Sequence, residues 1–342
     1  MNKNARTFIH ILFSVTVIAA LSIPLGGSIK NLKQIDTDFF GKVELVTAAS
    51  NIRFFALKDR LYNKTIVGED GWLIHASDMS TNDYQRSDPL TQEELQEIEQ
   101  KLRAAKEKLD SLGIKLYIVA APNKNTIYPE KLPSEIKVLG SETRLDQLAA
   151  HLHASLDVPF LDLRQSLTEA RQDNQVFYQT DTHWNSLGAF IAYREIAGRL
   201  SQDFPAIVPY SLDQYEQTWE QYTGDMTKTM GNVELPEKTM VLKPRFEVLS
   251  DVDNIPTSTE ILYDSYVIST HPNQELPTAV FYRDSFFKLV LPFLAEHFSH
   301  TESFWTYNYD MQRVFELKPD LVVIEFTERS IHQLLNWDGI LD

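Results

Sequence analysis

Residues 91–121 constrain the fold more than any other stretch of this chain. Leu95, Ile98, Leu102, Ala105 and Leu109 recur at three- and four-residue steps, the period of a helix with one buried face. Thr91 with Glu94 three residues on reads as a capping box, and Gly113 stops the helix. Residues 114–121, apolar apart from Lys115, then form a run with no alternation, the mark of a strand buried on both faces by crossover helices. The same rhythm returns as a helix over 141–156 and a short strand over 158–163. It returns again as a strand over 278–282, a helix over 285–297, a strand over 303–307, a helix over 310–317 and a strand over 320–327. A further helix is predicted over 186–200. This pattern predicts an α/β fold, three-layer α/β/α around a mostly parallel sheet. Residues 205–275 break the rhythm. Short β-prone segments at 239–242 and 265–268 suggest hairpins, read as an insertion or edge-strand region of the same domain.

The N-terminus decides the compartment. Lys3 and Arg6 precede residues 7–29, which contain no Asp, Glu, Lys or Arg, and roughly 20 such residues suffice to cross a bilayer core. The basic flank predicts a cytoplasmic N-terminus and export of the remainder of the chain. Small residues at 22–28 keep a cleaved signal peptide open, although Pro24 weakens the cleavage site, and a buried helix is the third reading. The expected organisation is therefore residues 1–30 as a transmembrane anchor or signal segment, 31–65 as a membrane-proximal region, and 66–342 as the catalytic domain. That domain would be single-pass on the cytoplasmic membrane and extracytoplasmic, or secreted or periplasmic after cleavage. There is no cysteine, which excludes thiolate nucleophiles and Cys-ligated metals. A net charge of -16 argues against nucleic acid, whose phosphates require clustered cations.

Two separated segments carry candidate chemistry. In Thr180-Asp181-Thr182-His183-Trp184-Asn185-Ser186, a short bend brings the Asp181 carboxylate to the His183 imidazole, fixing its tautomer and stabilising the imidazolium. Read alone, Asp181 and Asn185 are equally ordinary turn and cap residues. In Val280-Phe281-Tyr282-Arg283-Asp284-Ser285-Phe286-Phe287, Ser285 sits where a strand meets a helix, and its own N–H can help hold a developing oxyanion. A serine there is also a common N-cap. Together the segments supply what a hydroxyl nucleophile needs, a base backed by a carboxylate. His151 and His153 are two apart on a helix and share no face, so no metal site and no cofactor is expected.

The pair Asp181-x-His183-Trp184 and Asp284-Ser285-Phe286 resembles the alginate O-acetyltransferase family (AlgJ/AlgX-like). Further matches are Gly68-Glu69-Asp70-Gly71-Trp72-Leu73, Pro122-Asn123-Lys124 with Tyr128-Pro129, Gly224-Asp225-Met226 and Glu328-Arg329. The resemblance implies an SGNH-hydrolase-like domain with permuted catalytic blocks, His183 as base, Asp181 as its orienting acid and Ser285 as nucleophile. It implies transfer of acetyl groups onto hydroxyls of a polysaccharide acceptor outside the cytoplasm, the donor supplied by a multi-spanning membrane acyltransferase. Arg283 departs from the glycine usual in Gly-Asp-Ser and is a candidate for contacting an anionic substrate. By the same analogy, Gly224 and Asn308 join the Ser285 N–H as candidate oxyanion donors. Asn123, Lys124, Trp184 and Arg329 are further candidates for lining the substrate site. A carbohydrate acetylesterase and a non-catalytic polysaccharide-binding or assembly protein are the alternatives.

Overall fold

The computed structural model of the chain describes residues 42–62, 64–76, 79–255 and 266–337. The helix expected after Thr91 is α1, Gln92–Ser111. Its capping box forms: the Glu94 N–H donates to the Thr91 hydroxyl and the Thr91 N–H to the Glu94 carboxylate. All five residues of the predicted stripe are buried, and Gly113 adopts φ +74°, the left-handed turn that ends a helix. Chain reversal there feeds the strand β3, Lys115–Ala121.

Two short antiparallel strands, β1 (Thr65–Val67) and β2 (Leu73–His75), precede α1. After β3 come α2 (Arg144–Ser155), β4 (Phe160–Asp162) and α3 (Ser186–Leu200). They are followed by β5 (Tyr215–Tyr222), β6 (Glu237–Pro244), β7 (Asp251–Ile255), β8 (Tyr266–Thr270), β9 (Thr278–Arg283), β10 (His300–Trp305), α4 (Met311–Leu317) and β11 (Leu321–Thr327). The main sheet runs β4-β3-β11-β9-β10-β8-β7. Strands β4, β3, β11, β9 and β10 are parallel, with β8 and β7 added antiparallel at one edge, so the sheet is mixed.

Strand alternation divides the core. Tyr117, Val119, Ala121, Phe281, Leu321 and Val323 pack on the side covered by α3, whereas Leu116, Ile118, Ala120, Tyr282, Val322 and Ile324 pack beneath α1 and α2. Two apolar layers, one on each face, are why these strands read as uninterrupted hydrophobic runs.

Two expectations are corrected. Residues 285–297 are not one helix but a 3-10 turn at Phe287–Leu289, a single turn at Leu291–Leu294 and another 3-10 turn at Ala295–His297. Pro292 lacks an N–H and would collide with the carbonyl four residues back, so it can only stand near a helix start. The strand expected at 303–307 begins earlier, at His300, because the buried Glu302 is paired with Arg313 and the Tyr266 hydroxyl and so tolerates burial. Both β-prone segments of the 205–275 region pair antiparallel with the strand before them: 239–242 lie in the β5–β6 ribbon, and 266–268 lie in β8, which pairs with β7 at the edge of the main sheet.

The helix Lys42–Asn51 leads toward Phe54 and Tyr62, which pack with Leu73 against Met226, Met230 and Val233. The anchor expected in residues 1–30 lies outside the described residues. Among the described residues no helix is long and apolar enough to cross a membrane.

Candidate active site

An irregular excursion of the chain carries Asp181 and His183. Its base is closed by an antiparallel bridge between Phe177 and Trp184, with the Tyr178 N–H on the His183 carbonyl and the Asn185 N–H on the Val176 carbonyl. At the tip, the Asp181 carboxylate accepts the His183 main-chain N–H at 3.0 Å, the local Asx turn that aspartate favours. Asn185 then caps α3, its side-chain oxygen accepting the Gly188 N–H, so the excursion ends on a rigid element.

Ser285 follows the carboxyl end of β9, a central strand, where open α/β sheets place their sites. The preceding Asp284 is buried and organises the turn. Its carboxylate accepts the Phe286 N–H at 2.8 Å and the Thr327 N–H at 2.9 Å, and its own N–H donates to Glu325 at 2.9 Å. Burial, then the Asp284 charge, push the Glu325 carboxyl well above its ordinary range. The Ser285 N–H has no acceptor among the described residues, which leaves it available to an oxyanion.

These two segments, 102 residues apart in sequence, meet. His183 Nδ1 lies 2.6 Å from Asp181 Oδ1, and His183 Nε2 lies 2.8 Å from Ser285 Oγ. A carboxylate only accepts, so Nδ1 carries the proton, Nε2 presents its lone pair, and the Ser285 hydroxyl donates to it. Asp181 is fully engaged, because its Oδ2 accepts the Tyr222 hydroxyl at 2.7 Å and the Asp225 N–H at 2.9 Å. Burial by itself raises the Asp181 pKa, but the bond and charge of His183, with Tyr222 and Asp225, outweigh it and hold Asp181 well below the usual carboxylate range. His183 keeps 24% of its side chain exposed and Ser285 is half-buried, so a substrate reaches both.

Other expected residues fall elsewhere. Gly224 cannot serve the oxyanion, because its N–H donates to the Thr180 hydroxyl. It is glycine for contact: a Cβ would overlap the Thr180 carbonyl and the Asp181 nitrogen. Asn308 is an exposed turn residue whose N–H donates to the Thr306 hydroxyl, and no hydrogen bond joins it to the triad. Asn123 and Lys124 are not rim residues but buried ones. Asn123 bonds Asp83 and the Arg329 N–H, and the Lys124 ammonium bonds the carbonyls of residues 178, 179 and 181.

Trp184 is fully buried, edge-on to Phe286, and walls the core more than the cleft. Arg283 is equally buried, bonded to the Ser303 hydroxyl and the Asp284 carbonyl, and so supports the nucleophile turn without reaching solvent. Arg329 alone of the five expected substrate contacts stays partly exposed beside the site, its guanidinium 4.9 Å above the Phe286 ring, which in turn neighbours the His183 ring.

Tyr222 and Glu237 carry no sequence signal of function, and Asp225 enters only within the Gly224-Asp225-Met226 match, yet all three touch this excursion. Tyr222 and Glu237 are the register pair at one end of the β5–β6 ribbon, a pairing that sequence spacing does not reveal. Asp181, His183 and Asp225 also bring ligand atoms within 4.8 Å of one another. A cation there would compete with the hydrogen bonds that already use both His183 nitrogens and both Asp181 oxygens. A recess of about 730 Å³ lies apart from this chemistry, lined by Ala149, His153, Asp157 and Phe160 among others.

Comparison with known proteins bears on the family and the fold. Residues 65–260 match the model of the family described as SGNH hydrolase-like domain, acetyltransferase AlgX. Among curated proteins, the chain is 30% identical over 145 residues to the probable alginate O-acetylase AlgJ of Pseudomonas aeruginosa, covering 42% of this chain and 35% of that protein. It is 25% identical over 191 residues to that of Pseudomonas syringae pv. tomato, covering 51% and 43%. The matches thus span less than half the length of these relatives.

Bacillus cereus PatB1 shares the fold with a TM-score of 0.58 at 19% identity, over 78% of this chain and 96% of that one. Pseudomonas aeruginosa AlgX does so with a TM-score of 0.51 at 14% identity, over 85% and 69%. The family match covers more than half of the sequence and includes the Asp181–His183 excursion and the ribbon that braces it: the chain belongs to the SGNH hydrolase-like, AlgX-type acetyltransferase domain family.

Proposed function

We propose that the protein is a serine-dependent O-acetyltransferase that moves an acetyl group through an acyl-serine onto hydroxyls of an extracytoplasmic or cell-surface polysaccharide. The observation that carries this reading is the continuous hydrogen-bonded line from Asp181 through His183 to the Ser285 hydroxyl. Family membership supports acetyl as the group transferred, and the alginate O-acetylases among the relatives support a polysaccharide acceptor.

His183 Nε2 takes the proton of Ser285 as Oγ attacks the acetyl carbonyl. The carbonyl oxygen becomes anionic and is met by the Ser285 N–H. Collapse expels the donor's oxygen, which takes the proton back from His183 and leaves acetyl-serine. An acceptor hydroxyl then loses its proton to the same nitrogen, attacks the acetyl-serine, and departs as the acetyl ester while Ser285 recovers its proton. Asp181 stays ionised throughout and stabilises the imidazolium.

The donor is taken to come from a multi-spanning membrane acyltransferase. Residues 1–30, with their uncharged stretch after a basic flank, support attachment to the cytoplasmic membrane with the domain on the outer side. The partly exposed His183 and Ser285 favour esterase chemistry as a second reading, because water reaches the same acyl-serine. Incubation with an acetyl ester donor and a defined oligosaccharide separates the two. Acetylated oligosaccharide that disappears with Ser285→Ala is expected, whereas free acetate as the sole product at saturating acceptor would establish an esterase.

A further inference from the structure

The excursion that carries Asp181 has no helix or ladder to hold its main chain over residues 178–183, so its backbone groups need other partners. Two buried charges supply them in a complementary way. Lys124, from the one-turn helix Lys124–Ile127 behind β3, points its ammonium at the carbonyls of Tyr178 (3.2 Å), Gln179 (3.2 Å) and Asp181 (2.6 Å). Glu237, the first residue of β6, accepts the N–H groups of Gln179 and Thr180 and the Thr180 hydroxyl, each at 2.7 Å, and the Gln175 side chain at 3.2 Å. An ammonium has three donors and a carboxylate about four acceptor sites, so both are saturated by this one segment. They form no ion pair with each other.

We propose that Lys124 and Glu237 are positioning residues for the reaction: a two-charge clamp that grips the carbonyls and the amides of the segment ahead of Asp181 and thereby sets its carboxylate against His183. Neither has hydrogen-bonding capacity left for substrate, so both act through Asp181. Charge-assisted bonds are roughly twice as strong as neutral ones, which suits a loop that must keep one geometry without regular structure. Gly224 completes the arrangement, since its bare backbone lies flat against Thr180 and gives its N–H to the hydroxyl that Glu237 also binds. The inference rests on the reading of Asp181, His183 and Ser285 as the catalytic group.

The test uses Lys124→Met and Glu237→Gln in the whole protein, with p-nitrophenyl acetate as the acyl donor. Both variants are expected to lower kcat by about 10- to 100-fold, the scale of an ångström-sized misplacement. KM should stay within about 2-fold, and the downfield Nδ1 proton resonance of His183 should shift or broaden at temperatures where circular dichroism shows a folded chain. A merely structural role predicts that the rate falls only with the unfolded fraction and that the resonance of the folded fraction is unchanged; that result overturns the proposal. If Lys124→Met does not fold, Glu237→Gln decides, and failure of both to fold overturns the proposal because the pair would then hold the domain and not the loop. Asp181→Asn and Ser285→Ala run alongside. Full activity in those two would sink the triad, whereas their inactivity beside clamp variants of normal kcat would sink the clamp alone.

Discussion

Asp181 receives four hydrogen bonds, two on each oxygen, and this saturation explains how a buried carboxylate remains ionised beside the imidazole it must support. Replacing Asp181 with Asn keeps the shape but offers an amide N–H where an acceptor is needed. Loss of about 10²- to 10⁴-fold in kcat is expected, read from acetyl ester turnover, with little change in fold. Tyr222→Phe removes one donor to a charged acceptor and should cost about 1–3 kcal/mol in denaturant unfolding at pH 7. Asp181 and His183 were legible from the sequence because an Asx turn needs only two residues of spacing. Their braces were not: Tyr222 and Glu237 lie 41 and 56 residues further on than Asp181, and they reach Asp181 and the residues just ahead of it only because β5 and β6 pair in one register.

At the scale of elements, the legible parts were those where local pattern and tertiary burial agree. The α1 stripe and the runs of β3 and β11 face the apolar layers of the sheet, and the exposed Thr91 cap needs only the first turn of its own helix. Misread parts were those where one residue overrides the pattern, such as Pro292 in the broken helix and Glu302 in β10. Gly224 is a third instance: a candidate oxyanion donor by sequence, a packing contact in the fold. Gly224→Ala must push the Thr180 carbonyl and the Asp181 nitrogen away, because those atoms are backbone and have no rotamer to change. The variant should fold and lose about 100-fold or more in kcat, and kinetics near wild type would show that the contact is not needed.

For the whole molecule, the strand carboxyl ends gather buried acids whose titration opposes one another. Asp181 has a folded pKa below its unfolded value, so its contribution is present above about pH 4 and is lost as pH falls further. Glu328 runs the other way: burial, then the Asp83 charge, push it up to about 7 from an ordinary 4.5. Its folded state holds the proton more tightly, so the protein loses stability as pH rises from about 4.5 through 7, by up to about 3 kcal/mol. Glu328→Gln should therefore raise the thermal midpoint at pH 8 and leave it nearly unchanged at pH 4, as differential scanning calorimetry at the two values would show.

This layered scaffold serves one junction, where a loop before α3 meets the turn after β9. The most direct measurement is intact-protein mass spectrometry, with peptide mapping, after brief exposure to an activated acetyl ester. A single added acetyl group on Ser285 in the wild type, absent from Ser285→Ala, is the predicted result. Turnover without any such adduct, or equal labelling of both proteins, would contradict an acyl-serine intermediate.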